Sequence, residues 1–265
     1  MMLKPLNKAE LEELFDERSL EVLRFYIKKA MIAQPEPLIG QNPLAIQVPK
    51  EHIEQWIVQS IGGRPVGAGS YPVDIVHGNY GIDVKMLAAK TNNNGDLTTG
   101  DSGETSLAQN FKDSGASLDS LFEEKKYNEI LDGWKEILHN KLDNVCKEQN
   151  LEQIYYFFIL RAQSKIHLCA TSVDLSKIDS LKVLKGTDSS VFINGLIDSS
   201  FGNGKIYKAK KRLELRLKPK HWYENNFTLD FDLDFSVPAK NIRQLLEDGN
   251  LSEYKKKLCD FLMLD

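Results

Sequence analysis

Cysteine is scarce in this 265-residue sequence: Cys146, Cys169 and Cys259 are odd in number, widely spaced and not arranged as metal-ligand pairs. They are expected to be buried thiols in a reducing cytoplasm rather than a disulfide framework. Long hydrophobic runs are missing too, and none approaches the roughly 18 residues needed to span a bilayer. The start, MMLKPLNKAELEELF, is too acidic and polar for a signal peptide, so no membrane partner is expected. The histidines His52, His77, His139, His167 and His221 form no HxH or HExxH pattern, and nothing supports a zinc site. GGRPVGAG lacks a GK[ST] ending and precedes the wrong element, which excludes a phosphate loop and a nucleotide cofactor. No internal repeat divides the chain. What remains, 42% apolar and 27% charged residues, suits one large globular core.

Apolar spacing predicts a helical opening over residues 8–33 with a break at Ser19, and a second helix over 49–61 with proline near its start. YPVDIV and GIDVKML are expected as two strands joined by the turn HGNY. Residues 91–106 are rich in glycine and asparagine without periodicity and are expected as a mobile loop, either a plain one or one folding over a DNA groove. Helical character returns over 107–149, split near 114–117 or 132–133. QIYYFFILRAQ is the strongest strand candidate, suited to a sheet centre. KIHLCATSVDL, VFINGLI, KIYKA, RLELRLK and FTLDFDLDF follow as strands, and residues 238–264 as a final helix. The fold class is α/β, a mixed central sheet flanked by helices with additional C-terminal strands.

The chemistry concentrates in SYPVDIVHGNYGIDVKM, residues 70–86. Side chains alternate along a strand, so Ile82 and Val84 point one way while Asp83 and Lys85 point the other. If the two strands pair, Asp74 comes close to both. Two adjacent carboxylates repel unless a proton or cation intervenes, and their oxygens suit a hard divalent ion such as Mg²⁺. Lys85 beside them is placed to orient an attacking water and to support charge developing on a phosphate.

PVD at 72–74 followed by IDVK at 82–85 resembles the PD-(D/E)xK nuclease superfamily, most like a type II restriction endonuclease. Val73 stands between Pro72 and Asp74, a departure from the plain proline-aspartate pair. The resemblance implies a restriction-endonuclease-like fold and a site-specific deoxyribonuclease. Asp74, Asp83 and Lys85 would be catalytic, with Asp74 and Asp83 as Mg²⁺ ligands. It also implies a further acidic residue from a preceding helix, here Glu54 as catalytic residue and metal ligand, with Glu51 in reserve. Residues 1–265 would form one endonuclease domain, with a catalytic core over about 50–170 and DNA-binding and structural elaboration over about 171–265. Double-stranded DNA is the implied partner, and a palindromic target would call for a homodimer. Other readings are a structure-selective repair or recombination nuclease, and a non-catalytic DNA-binding or protein-interaction domain.

The formal net charge is −4, yet residues 201–221 hold eight Lys or Arg against one acid, Glu214. Lys205, Lys208, Lys210, Lys211, Arg212, Arg216, Lys218 and Lys220 are therefore candidates for DNA contact, against a solvated charged face. Alternation in RLELRLK puts Arg212, Glu214, Arg216 and Lys218 outward and Leu213, Leu215 and Leu217 inward. Arg161, Gln163 and Lys165, at alternating positions after the central strand, are further DNA-binding candidates. Asp230, Asp232 and Asp234 share one strand face, expected to be solvated or to protect an edge by like charge rather than to hold a metal.

Overall fold

The computed structural model describes residues 1–34, 46–66, 71–109, 111, 117–233 and 241–263. A short strand β1 (Leu3–Pro5) leads into helices α1 (Lys8–Leu14) and α2 (Glu17–Ile32). Asn7 and Glu10 form a reciprocal capping box on α1, and Asp16 caps α2 by accepting the Ser19 N–H. The expected break at Ser19 therefore falls at Phe15 and Asp16, where a carboxylate satisfies the free N–H groups of a new helix.

Helix α3 (Lys50–Ile61) precedes β2 (Arg64–Pro65), β3 (Ile75–His77) and β4 (Tyr80–Ala88). The expected hairpin is present: His77 pairs with Tyr80 across a two-residue turn opened by Gly78 at φ +57°, a conformation that suits glycine. Strand β5 (Glu104–Gln109) follows, then α4 (Leu118–Glu123) and α5 (Tyr127–Gln149). Residues 91–103 are not a featureless loop, because Thr91 bridges to Leu97 and the Asn92 side chain accepts the N–H groups of Asn94 and Asp96. Nor does helix begin at 107: the alternating ETSLAQ is a strand. The helix break comes at residues 124–126, not at the expected 132–133; of the other expected position, 114–117, only Ser117 is described, and it caps α4.

After α5 come β6 (Gln153–Arg161), β7 (Lys165–Val173), a 3₁₀ turn (Leu175–Ser180), β8 (Lys182–Thr187), β9 (Ser190–Asn194), β10 (Gly202–Tyr207) and β11 (Arg212–Leu217). Helix α6 (Pro219–Glu224), unexpected from the sequence, starts at a proline suited to a first helical turn. Strand β12 (Leu229–Asp232) is followed by α7 (Ile242–Glu247) and α8 (Leu251–Leu262), two helices where one was expected, divided at Gly249.

Among the described residues the strands form two sheets. One runs β1-β7-β6-β4-β3-β2, with β12 also on β7; the other runs β5-β11-β10-β9-β8. The pair β4–β6 is parallel, and its crossover contains β5, α4 and α5. The fold is thus a mixed α/β architecture with a central sheet flanked by helices.

The two faces of β4 go to different cores. Ile82 and Val84 pack with Phe157 and Ile159 of β6, with Leu11, Phe15 and Leu23, and with Ile53, Trp56 and Ile57 of α3. On the opposite face, Leu87, Tyr156 and Phe158 pack with Trp134, Leu138 and Leu142 of α5 and with the inward leucines of β11. No helix among the described residues is long and apolar enough to cross a membrane.

The acidic row of β12 has a partner. Asp230 lies opposite His167 in the β12–β7 register and meets its Nδ1 at 2.6 Å, while Asp232 lies opposite Lys165 and pairs with it at 2.9 Å. The Asp232–Lys165 ion pair and the Asp230–His167 hydrogen bond across neighbouring strands favour this register. Asp230 and Asp232 are thus both engaged by β7; Asp234 lies outside the described residues.

Candidate active site

The hairpin places Asp74 at a bend just before β3, not within the strand. Its backbone N–H donates to the carbonyl of Ile82 at 2.8 Å, and its Oδ2 accepts the Val84 N–H at 2.7 Å. That bend also accommodates Val73, which is fully buried in the α5-side core, whereas Ile75 turns to the α3 side. The extra residue after Pro72 thus becomes a packing residue while the carboxylate turns onto β4. Tyr71 fixes the approach: its hydroxyl donates to Glu148 at 3.0 Å and accepts from Gln149 at 3.1 Å, both on α5. Gly81, two residues before Asp83, is closely packed: a Cβ there would meet Leu151 Cδ1 at 2.5 Å and Val73 Cγ1 at 3.1 Å, so these side chains would have to shift.

Asp83 is 3% exposed and ion-paired to Lys85, two residues along the same strand face. Burial pushes the Asp83 carboxyl up to about 7; the Lys85 ammonium opposes this, and Asp74, within hydrogen-bonding reach, reinforces it. The expected juxtaposition of Asp74, Asp83 and Lys85 is present.

Two residues not foreseen from the sequence bear on them. Lys141, on α5, donates from Nζ to the Leu107 carbonyl at 3.1 Å and feels the charges of Asp83, Lys85 and Asp74. Its pKa is lowered, first by burial. Tyr156 pairs with Asp83 in the β4–β6 register, and its buried hydroxyl has no hydrogen-bond partner. Burial, with Asp83 adding to it, raises that phenol well above its ordinary value. A signal for Lys141 was available: Trp134, Leu138, Lys141 and Val145 are spaced as one helical stripe, and the lysine interrupts it. Tyr156 sits in an unbroken apolar run, where alternation gives no cue.

Glu54 is not brought to this group. Helix α3 packs against Ile82 and Val84, the face of β4 opposite Asp83 and Lys85. Among the described residues no set of three or more His, Cys, Asp or Glu side chains is arranged to hold a metal ion. The side chain of Glu51 lies outside the described residues. The donor set that remains, two carboxylates with an unpartnered phenol beside them, fits a hard cation completed by water and substrate oxygens.

Compared with known proteins, the chain matches no family model, no curated protein and no solved structure. Its chemistry is read from the geometry alone.

The basic candidates are mostly paired within the chain. Lys210 contacts Glu104 and lies 3.5 Å from Glu214, and Arg216 contacts Glu104 at 2.5 Å. Lys208 lies 3.8 Å from Glu123 and Lys211 3.8 Å from Asp119, both acids on α4. The Lys205 ammonium sits 4.6 Å from the Phe192 ring centre and 4.4 Å from that of Tyr207. Lys218 donates to the Ser199 carbonyl at 2.6 Å, and Lys220 lies 3.6 Å from Glu224. Arg212 is exposed at the start of β11, and Gln163 is half-buried after β6. Arg161 donates to the Ile46 carbonyl at 2.7 Å, while Lys165 is held by Asp232. Glu214, expected to face outward with its neighbours, is instead 2% exposed, on a strand held between β10 and β5.

Proposed function

We propose that the chain is a Mg²⁺-dependent endonuclease that hydrolyses phosphodiester bonds of double-stranded DNA at a specific sequence. In this reading it is a type II restriction enzyme of the PD-(D/E)xK kind, with a restriction-endonuclease-like core. The observation that carries the reading is the meeting of Asp74, Asp83 and Lys85 on the α5-side face of β4, where the fold tolerates a buried carboxylate at the expense of its ionisation. Asp74 and Asp83 would hold Mg²⁺ through carboxylate oxygens, and the ion, when bound, would supply Lewis-acid polarisation of the phosphate. Lys85 orients the attacking water and stabilises negative charge on the phosphate. Lys211, whose surface ion pair with Asp119 contributes only about 0–1 kcal/mol, and the exposed Arg212 are the cations best placed to meet phosphate. A palindromic target pairs with a two-fold homodimer, one site for each strand.

The test is purified protein with long mixed-sequence DNA and Mg²⁺, followed by mapping of the cut ends. Discrete fragments are expected, and Asp74→Ala, Asp83→Ala and Lys85→Ala each abolish cleavage while leaving most DNA binding. Full cleavage by any of these variants overturns its assignment. Cutting only at nicks, flaps or junctions selects a structure-selective nuclease instead. DNA binding without cleavage selects a non-catalytic module.

A further inference from the structure

The parallel strands β4 and β6 end side by side, at Ala88 and Arg161. Beyond their ends lies a cavity of about 380 Å³, walled by the loop around Gly95, the turn between β6 and β7, and helix α6. The carboxyl ends of parallel strands are where α/β sheets commonly hold ligands. The wall is well ordered: the Asn92 side chain accepts two N–H groups of its own loop, and Gly95, at φ +87°, sets that loop against Ser164. Such a volume suits one small ligand and not a duplex.

Tyr223 of α6 is the most exposed aromatic side chain among the described residues, at 38%, and offers a ring on which a base can stack. Lys165 and Lys220, far apart in the sequence, bring two ammoniums to the same cavity. Their present partners, Asp232 and Glu224, are exposed carboxylates that a phosphate replaces at little cost. His167 is 2% exposed and lines the cavity, its ring centre 5.1 Å from that of Tyr223. Asp230 engages its Nδ1 at 2.6 Å, so Nε2 is the ring nitrogen left for a ligand. Asp96 adds a carboxylate suited to the amino edge of a base. His167 lies opposite Leu160, which lies beside Leu87, on the sheet face that carries Asp83 and Lys85. At about 3.3 Å per residue and about 4.8 Å per strand, its Cα is roughly 12 Å from that of Lys85. That is a span of about three to four stacked nucleotides, so one DNA strand can reach both places.

We propose that this cavity takes one unstacked nucleotide of the bound DNA, its base on the Tyr223 ring between His167 and Asp96 and its phosphate on Lys165 and Lys220. The proposal rests on the proposed function for its ligand, DNA, but not on the carboxylate pair.

The experiment measures binding of short single strands to the full chain in chelator by fluorescence anisotropy. One strand is abasic throughout, and the other carries a single adenine at its centre. The adenine strand is expected to bind about tenfold more tightly. Tyr223→Ala removes that preference and Tyr223→Phe keeps it, while urea midpoints establish that both variants are folded. Lys165→Gln weakens both strands and flattens their salt dependence more than Lys147→Gln does, the latter being the net-charge control at an exposed site. A duplex with one unpaired adenine is expected to bind more tightly than its fully paired counterpart, again only while the Tyr223 ring is present. Equal binding of the two single strands, or an undiminished adenine preference in folded Tyr223→Ala, overturns the proposal. Deoxyadenosine monophosphate binding as tightly as the adenine strand, with no preference for the unpaired duplex, overturns DNA as the source and makes the ligand a free nucleotide. Asp83→Asn is expected to retain the adenine preference. Absence of cleavage with that preference intact therefore counts against the nuclease alone, and cleavage without it counts against the cavity alone.

Discussion

Asparagine in place of Asp83 removes a carboxylate whose folded pKa, about 7, lies well above its ordinary 3.8. Between those two values the folded protein retains a proton that the unfolded chain has released, so stability falls as pH rises through the interval. At about 1.4 kcal/mol per pH unit, the full loss is on the order of 4 kcal/mol, of which about 3 kcal/mol falls between about pH 5 and pH 8. Asp83 is only 3% exposed, so solvent does little to screen this effect. Carboxylates with lowered pKa, such as Asp230 and Glu10, act with the opposite sign, since their contribution is lost as pH falls. They are common to both proteins and cancel in the comparison. Urea denaturation of metal-free wild type and Asp83→Asn, in chelator at about pH 5 and about pH 8, measures the difference. The wild type is expected to lose about 2–4 kcal/mol more than the variant on going to the higher pH. Absolute stabilities decide less, because the amide also takes a partner from Lys85. Equal pH dependence in the two proteins refutes the burial argument.

Asp230→Ala strands the buried His167 and is expected to lower stability by about 1–3 kcal/mol in the same denaturation assay. Gly81→Ala drives a methyl group into Leu151 and Val73 and is expected to cost about 1–3 kcal/mol, readable as a lowered urea midpoint at unchanged slope. Glu104→Gln releases Lys210 and Arg216, and is expected to strengthen duplex binding and steepen its salt dependence, whereas neutralising Lys211 and Arg212 weakens binding and flattens it. An unchanged salt slope in both sets removes this segment as a phosphate contact.

The part of the site within one hairpin was legible because strand parity is local: once Ile82 and Val84 face one core, Asp83 and Lys85 must face the other. Distances in sequence hid the rest. Lys141 feels the charges of the group from a helix more than fifty residues away, and only the broken stripe of α5 betrays it. The choice of Glu54 failed to join the pair for a reason the sequence does not contain, namely which face of the sheet α3 covers. The elements were read best where aromatic and branched residues run almost continuously, as in β6. They were read worst at 104–109, where a six-residue strand follows a glycine-rich stretch and precedes helices. The basic segment was read correctly as strands but incompletely as charge, because Glu104, Asp119 and Glu123 lie about a hundred residues upstream.

That pairing bears on how a DNA-cutting enzyme of this shape would discriminate. Non-specific affinity for DNA comes from releasing counterions with unpaired cations. Here the net charge is −4, and much of the basic segment already faces carboxylates of the same chain. A phosphate contact made by Lys208, Lys210, Lys211 or Arg216 would first have to displace an internal acid, so its net gain would be small. Contacts to base edges would be discounted less, since an arginine that leaves its single contact with Glu104 for guanine would gain a bidentate partner. The ratio of specific to non-specific binding therefore rises as the internal ion pairs strengthen, even though the absolute affinity falls. An acid such as Glu104 then acts for specificity while opposing affinity, and loss of its charge should increase binding to all sequences more than binding to the target.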